Sequence, residues 1–421
     1  MHRITTLANG LRVATAEMPG MESVALGLWV GVGARYETKR HSGVSHFIEH
    51  LLFKGTRRRS AKQISQTVEG IGGYLNAFTG EEHTCYYAKA SHRHFDTLLD
   101  VLADMYQHPK FAAADIAKER GVIKEELLMY HDQPDHYVQE LLTETLWPDQ
   151  PLGRPLAGSL KSLDATDRAV VLAFKRRNYA AANTVVAVAG RCRHDAVVES
   201  VSRVLSLKDA TPRTRFTVAH ENQRTPRLRF LSKTVEQTHL ALGIRGFSRH
   251  DERRFAAKLL SVILGENMSS RLFQVIRETH GLAYSIQSAG SYFADTGLFL
   301  VSAGLDNKRL PRALALILRE LQKISRQPPS VPELRRAKDY AIGQMRLGLE
   351  STSNQMIWLG EHLMAYGFIH TPDEIERKLE AVTADDIQAV ATTLFRDRGL
   401  NAAIITPRKD EAATRDLLTF A

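Results

Sequence analysis

Cysteine is nearly absent from this chain. Cys85 and Cys192 are its only two, far apart and outside any C-x-x-C spacing. That excludes a disulfide framework and a cysteine-rich metal centre, and it suits a reducing compartment. Long apolar runs are missing too: no stretch reaches the roughly eighteen residues that a membrane span needs, so no membrane partner is expected. The first residues, Met1–Gly10, lack the apolar core of a signal peptide and the pattern of a transit peptide, and run directly into a strand pattern. The expected location is therefore cytoplasmic. Nor is there an extended basic block. The densest run, Arg57-Arg58-Arg59, follows a helix end and a Gly-Thr turn, which reads as a solvated loop, so no specific nucleic-acid partner is expected. The net charge of +9 favours acidic partners or substrates in general.

What is present is an ordinary globular composition, 43% hydrophobic and 24% charged, in a chain of 421 residues that is too long for one core. The sequence repeats itself at long period. Val24-Ala-Leu-Gly-Leu-Trp29 is echoed by Leu240-Ala-Leu-Gly-Ile-Arg245. Asn183–Gly190 reads as a buried strand followed by a helix over about 195–207, and Leu400–Pro407 precedes a helix that begins near Asp410. Helical patterns at Phe95–Tyr106 and Leu310–Ile324 fill the halves. The fold class expected is α+β: two homologous domains, each a mixed, mostly antiparallel sheet flanked by helices. The polar, proline-containing stretch 213–226 reads as a linker between domains at 1–212 and 227–421.

One segment carries chemistry. Ser42–Thr56 contains His46, Glu49 and His50 in an H-x-x-E-H pattern, the inverse of the H-E-x-x-H zinc-protease signature. Val44, Phe47, Ile48, Leu51 and Leu52 supply the apolar face of a helix, so His46 and His50 sit one turn apart on one side. Glu49 projects between them, close enough to act on a water beside a shared metal. Two histidines on an apolar helix can also be satisfied core residues. A metal site needs a third protein ligand. The helical pattern from Asp115 to Tyr130 offers Glu119, Glu125 and Glu126. Glu119 and Glu126, seven apart, share a face with Ile116 and Ile123, and Glu125 points elsewhere. Carboxylates on such a face call for a compensating cation, although a solvated glutamate pair fits the same pattern. The corresponding helix of the second half, around Arg254–Gly265, has no histidine, so one metal site per chain is expected.

These residues resemble the pitrilysin/insulinase family of inverted zincins, and especially its mitochondrial-processing-peptidase-like branch. The matching motifs are His46–His50, then Phe53-Lys54-Gly55-Thr56, then Glu119-Arg-Gly-Val122 continuing to Glu126, and the Gly72-Gly73 to Tyr86 segment. The resemblance implies that His46, His50 and Glu126 bind Zn2+, with Glu119 supporting the site and Glu49 as catalytic base. It implies that Asn76 and Ala77 lie on an edge strand that pairs with substrate backbone. A strand whose Asn76 only caps a turn is the alternative. In the second half, Ser269–Ser285 is similar to the family element in which an Arg and a Tyr contact substrate. It assigns Arg277 and Tyr284 to that task, against the plainer roles of a helix-dipole partner and a half-buried ring. The resemblance further implies a clam-like half-chamber completed by a second chain. The zinc helix of one chain would then face the Arg277/Tyr284 element of the other. Because this chain carries both sets, a homodimer is the simplest expectation, with a heterodimer containing a degenerate homologue as the variant. Gly265–Ser270 is short and lacks the glycine-rich loop of the non-catalytic processing-peptidase subunit. The expected activity is a zinc-dependent endopeptidase acting on peptides or unfolded short polypeptides, with general degradation and dedicated processing both open. The alternative is a non-catalytic peptide-binding or scaffold subunit.

Overall fold

Two-residue alternation builds the first sheet. Its strands are β1 (His2–Thr6), β2 (Arg12–Glu17), β3 (Ser23–Val30), β4 (Tyr74–Thr79), β5 (Thr84–Ser91) and β6 (Thr184–Gly190). They lie in the order β1-β2-β6-β3-β5-β4, and only the β2–β6 pairing is parallel. Along β3, Val24, Leu26, Leu28 and Val30 face one core, shared with Phe47, Ile48, Leu51 and Leu52 of α1 (Val44–Leu52). The same core takes in residues of α2 (Ala61–Glu69), α3 (Phe95–Gln107) and α4 (Ala113–His131). The intervening Ala25 and Trp29 face a second core on the opposite side of the sheet. Both faces are thus covered, and the sheet is a middle layer.

The computed structural model describes residues 2–208 and 215–420. The expected boundary at 212 and the start of the expected linker, 213–214, lie outside the described residues. The second sheet contains β7 (Arg227–Ser232), β8 (Thr238–Gly246), β9 (Ala283–Tyr292), β10 (Gly297–Leu305) and β11 (Asn401–Thr406), in the order β7-β11-β8-β10-β9. Its only parallel pairing is β7–β11. This repeats the order β2-β6-β3-β5-β4 with the parallel pair in the same place, so the duplication read from the sequence is a duplication of fold.

The contiguous split at 212/227 needs correction. The compact units are Met1–Leu127 with Pro155–Thr217 and Leu347–His370, and Leu128–Arg154 with Val218–Arg346 and Thr371–Ala421. The reason is visible in the cores. The small-residue face of the first sheet (Ala14, Ala25, Val185, Ala187, Ala189) is covered by Met356, Leu359 and Leu363 of the helix Thr352–Tyr366. Gly360 of that helix lies against the Trp29 indole, and any Cβ there would stand 2.1 Å from it. In the second unit, Ala241, Ala403 and Ile405 are covered by Val138, Leu141, Leu142 and Leu146 of α5 (Pro134–Leu146). Each sheet therefore finds the helix for its second face far away in the sequence. Among the described residues, no helix is long and apolar enough to cross a membrane.

Candidate active site

The site is assembled in the first unit from α1, α4 and the edge strand β4. Gly43 caps the start of α1, and its φ of +90° is open to glycine at little cost. A Cβ there would also lie 2.4 Å from the Ala157 carbonyl oxygen. The buried Glu37 carboxylate accepts from the Gly43 and Ser45 N–H groups at 2.6 and 2.7 Å, which satisfies the helix start and complements its dipole. That fixes the rotation of the helix that carries the histidines. His46 and His50 project together, with ring centroids 4.6 Å apart.

Glu126 of α4 faces both rings. Its carboxylate oxygens lie 3.9 Å from His46 Nε2 and 3.5 Å from His50 Nε2. One ligand atom from each of the three residues falls within 4.8 Å of the others. Ligands about 2.1 Å from a tetrahedral zinc ion stand roughly 3.4 Å apart, so the grouping is of the right size. Glu125, the competing glutamate, is exposed on another face of α4. Glu119 is buried, and its Oε2 lies 3.3 Å from His50 Nδ1, while Lys54 Nζ lies 3.0 Å from its Oε1. With Nδ1–H directed at Glu119, His50 turns its Nε2 lone pair toward a carboxylate oxygen of Glu126. Two acceptors converging in this way fit a cation between them. Two imidazoles and one carboxylate are also the donor set of a catalytic zinc with an open position. His46 lacks a comparable support, since its Nδ1 is buried without a hydrogen-bond partner. Burial, with the nearby His50, pushes the His46 pKa down to about 4 against the pull of Glu126, so at neutral pH it is the neutral imidazole, the form that has a lone pair to offer a metal.

Glu49 lies on the next face of α1. Burial raises its pKa above the ordinary carboxylate value, opposed by the hydrogen bond from Thr79 and by His50, and reinforced by Glu126. The Thr79 hydroxyl donates to Glu49 Oε2 at 2.6 Å. Thr79 ends β4, the edge strand that also carries Asn76 and Ala77. The Asn76 side chain accepts from the Ala77 N–H at 2.8 Å, and its residue is exposed. Because β4 is an edge, its outer backbone groups are available to another strand.

Arg277 and Tyr284 belong to the second unit. Arg277 sits on the π-helical turn Phe273–Thr279, and its guanidinium lies 4.8 Å from the Phe273 ring centroid and 5.7 Å from that of Tyr284. Gly281, at φ +57°, ends that turn as expected. Tyr284 is the second residue of β9, another edge strand, and at 74% exposure it is not the half-buried ring of the plainer reading. It lines a cleft of 490 Å³ with Gln237, Gly304 and Asn307.

The sequence reading passed over three residues that this geometry brings forward: Glu37, Lys54 and Thr79. Lys54 and Thr79 stood inside recognised motifs, but their partners are distant in sequence and no local spacing reveals them. Glu37 had no signal, as it caps a helix that starts seven residues later.

Residues 12–160 match the family described as Insulinase (Peptidase family M16), and residues 166–340 match its companion, the Peptidase M16 inactive domain. A zinc protease of Streptomyces coelicolor is 38% identical over 421 residues, covering 98% of this chain and 91% of the relative. The chain belongs to the insulinase family, M16. Other M16 relatives include the Bacillus subtilis zinc protease YmxG, 35% identical over 96% of this chain and 97% of its own length. Among solved structures, a protease from Helicobacter pylori superposes with a TM-score of 0.89 at 24% identity, covering 97% of this chain and 99% of that one. A Pseudomonas fluorescens structure described as a peptidase M16 inactive domain gives the same score at 19% identity, covering 97% and 98%. At these identities the structural matches establish the M16 fold alone.

Proposed function

We propose that this chain is a zinc-dependent endopeptidase that holds one Zn2+ through His46, His50 and Glu126. The observation that carries the reading is the convergence of His50 Nε2 and Glu126 Oε2 at 3.5 Å, with the other nitrogen of His50 already turned to Glu119. The names of the relatives, zinc proteases, agree with it. When bound, the zinc ion supplies Lewis acidity, lowering the pKa of water and polarising a carbonyl. The chain's own residues do the rest. Glu49, kept in place by Thr79 and made more basic than a solvated carboxylate by burial, takes the proton from the attacking water and delivers it to the leaving amine. Glu119 orients His50, and Lys54 balances the Glu119 charge. The outer edge of β4, at Asn76 and Ala77, pairs with the backbone of an extended substrate, which gives affinity with little demand on sequence. This suits peptides and unfolded short polypeptides.

Arg277 and Tyr284 hold and polarise the substrate carbonyl, and we assign them to the site of a second chain in a homodimer. The exposure of Tyr284 and its place on a second edge strand support this. A cytoplasmic location is part of the same reading, supported by two free cysteines. The test is cleavage of a quenched peptide together with metal analysis, comparing the native chain with Glu49→Gln. Retained zinc and activity lower by about 10²–10⁴-fold are expected for the variant. Equal rates in the two proteins overturn the mechanism. Zinc binding without cleavage by the native chain turns the reading to a peptide-binding subunit.

A further inference from the structure

The segment between β3 and α1 holds two buried charges that no step of the proposed chemistry uses. Arg35 and Glu37 are 1% and 5% exposed. Arg35 lies in the tight 3-10 turn Ala34–Tyr36, and Glu37 closes that turn with its N–H on the Ala34 carbonyl at 3.2 Å. On one side the segment is fastened to the turn that joins β4 to β5. The Ala34 and Arg35 N–H groups donate to the Gly80 and Glu81 carbonyls at 3.1 and 2.9 Å, and the Arg35 guanidinium pairs with Glu82 at 2.6 Å. Gly33 lies so near this turn that a Cβ on it would stand 2.1 Å from the Gly80 oxygen. Arg35 also donates to the Thr217 carbonyl at 3.2 Å and lies 4.0 Å from the Phe216 ring centroid, which holds the guanidinium from a further direction. On the other side the Glu37 carboxylate takes the Gly43 and Ser45 N–H groups at the start of α1. All of these residues belong to the first unit.

Buried charges resist displacement. Drawing Glu82 away from Arg35 leaves an uncompensated charge in the interior, and drawing α1 away from Glu37 strands a carboxylate together with two N–H groups. A single turn of backbone thus connects the start of the helix that carries His46, Glu49 and His50 with the end of the strand that carries Asn76, Ala77 and Thr79. The separation of these two elements decides where a peptide paired with the outer edge of β4 stands relative to Glu49. Reaction rates depend steeply on such placement.

We propose, on the peptidase reading above, that Gly33–Glu37 is a bracket that sets the distance between Glu49 and the substrate strand, with Arg35 and Glu37 as positioning residues for cleavage. The metal-holding residues stand on α1 and α4, and the outer edge of β4 stays open to a peptide whether or not the bracket holds. Glu82→Gln is therefore expected to keep zinc affinity and KM within about twofold of native, while kcat falls at least about tenfold. A loss carried by KM or by zinc affinity overturns the proposal, and so does an unchanged kcat. Because the bracket acts as one piece, Glu37→Gln/Glu82→Gln is expected to lose little more kcat than the worse single variant. Losses that multiply overturn the bracket in favour of two separate local supports. Amide hydrogen exchange gives a readout that needs no cleavage. In Glu82→Gln, faster exchange is expected at Gly43 and Ser45 as well as at residues 80–82, and a change confined to 80–82 overturns the proposal. A native chain that cleaves no peptide sinks the peptidase reading, and the exchange measurement then decides the bracket by itself. Where Glu82→Gln folds poorly, Arg35→Lys carries the same measurements, since it keeps a cation opposite Glu82 and gives up the N–H to Thr217.

Discussion

The Thr79 hydroxyl donates a 2.6 Å hydrogen bond to Glu49 Oε2, tying the last residue of the edge strand β4 to the carboxylate proposed as the base. The bond favours the ionised carboxylate, and it works against the burial that raises the Glu49 pKa.

Thr79→Val removes that bond and leaves the burial. The Glu49 pKa then moves further up, so the ionised base is lost at higher pH than in the native chain. The acid limb of the kcat/KM profile is expected to shift upward, with activity at pH 6 falling about tenfold and less at pH 8. A uniform loss at all pH values would assign Thr79 to strand geometry instead.

Glu119→Gln keeps the shape of the His50 support and removes its charge. Zinc affinity is expected to fall about 10–100-fold in competition with a chelating indicator. Lys54, now without its anionic partner at 3.0 Å, adds to the effect. Unchanged affinity would place Glu119 in the core and not in the support of the metal.

Glu140 of α5 gives a stability test away from the site. Burial and the neighbouring Glu144 raise its pKa to about 7, while His131 stands 3.7 Å away. Between about 4.5 and 7 the folded chain binds more protons here than the unfolded one, so this group costs stability progressively as pH rises through that window. Glu140→Gln is expected to stabilise the protein by about 1–2 kcal/mol at pH 8 and by little at pH 4.5, as read from denaturant unfolding. A gain that does not depend on pH would point to packing.

Glu49→Gln chains and Tyr284→Phe chains, each nearly inactive, are expected to recover activity when mixed under conditions that allow exchange. A mixed dimer would hold one site with both intact elements, so recovery should approach one quarter to one half of native activity as a rough statistical bound. No recovery, with exchange shown by labelled chains, would sink the shared site.

Much of the site was legible because its chemistry is local. His46, Glu49 and His50 are set by one helical turn, and the seven-residue spacing of Glu119 and Glu126 places both on one face of α4 whatever the rest of the chain does. The repeat of strand patterns around Val24 and Leu240 likewise foretold two sheets of one design. Side-chain partners that approach from other elements were not legible: Glu37 on the start of α1, Thr79 on Glu49, Lys54 on Glu119.

The sequence by itself determined which residues can bind metal, on which faces of which helices they stand, and that the fold occurs twice. Only the tertiary structure decided what covers each sheet. Periodicity shows that Ala25 and Trp29, or Ala241 and Ala403, face away from the larger core, but it does not name the helix that buries them. Apolar burial is non-directional, so any helix with a complementary face can serve. The close fit of Gly360 on Trp29 and of Leu142 on Gly243 selects the helices Thr352–Tyr366 and α5. For that reason the contiguous halves read from the sequence are interleaved in the folded chain.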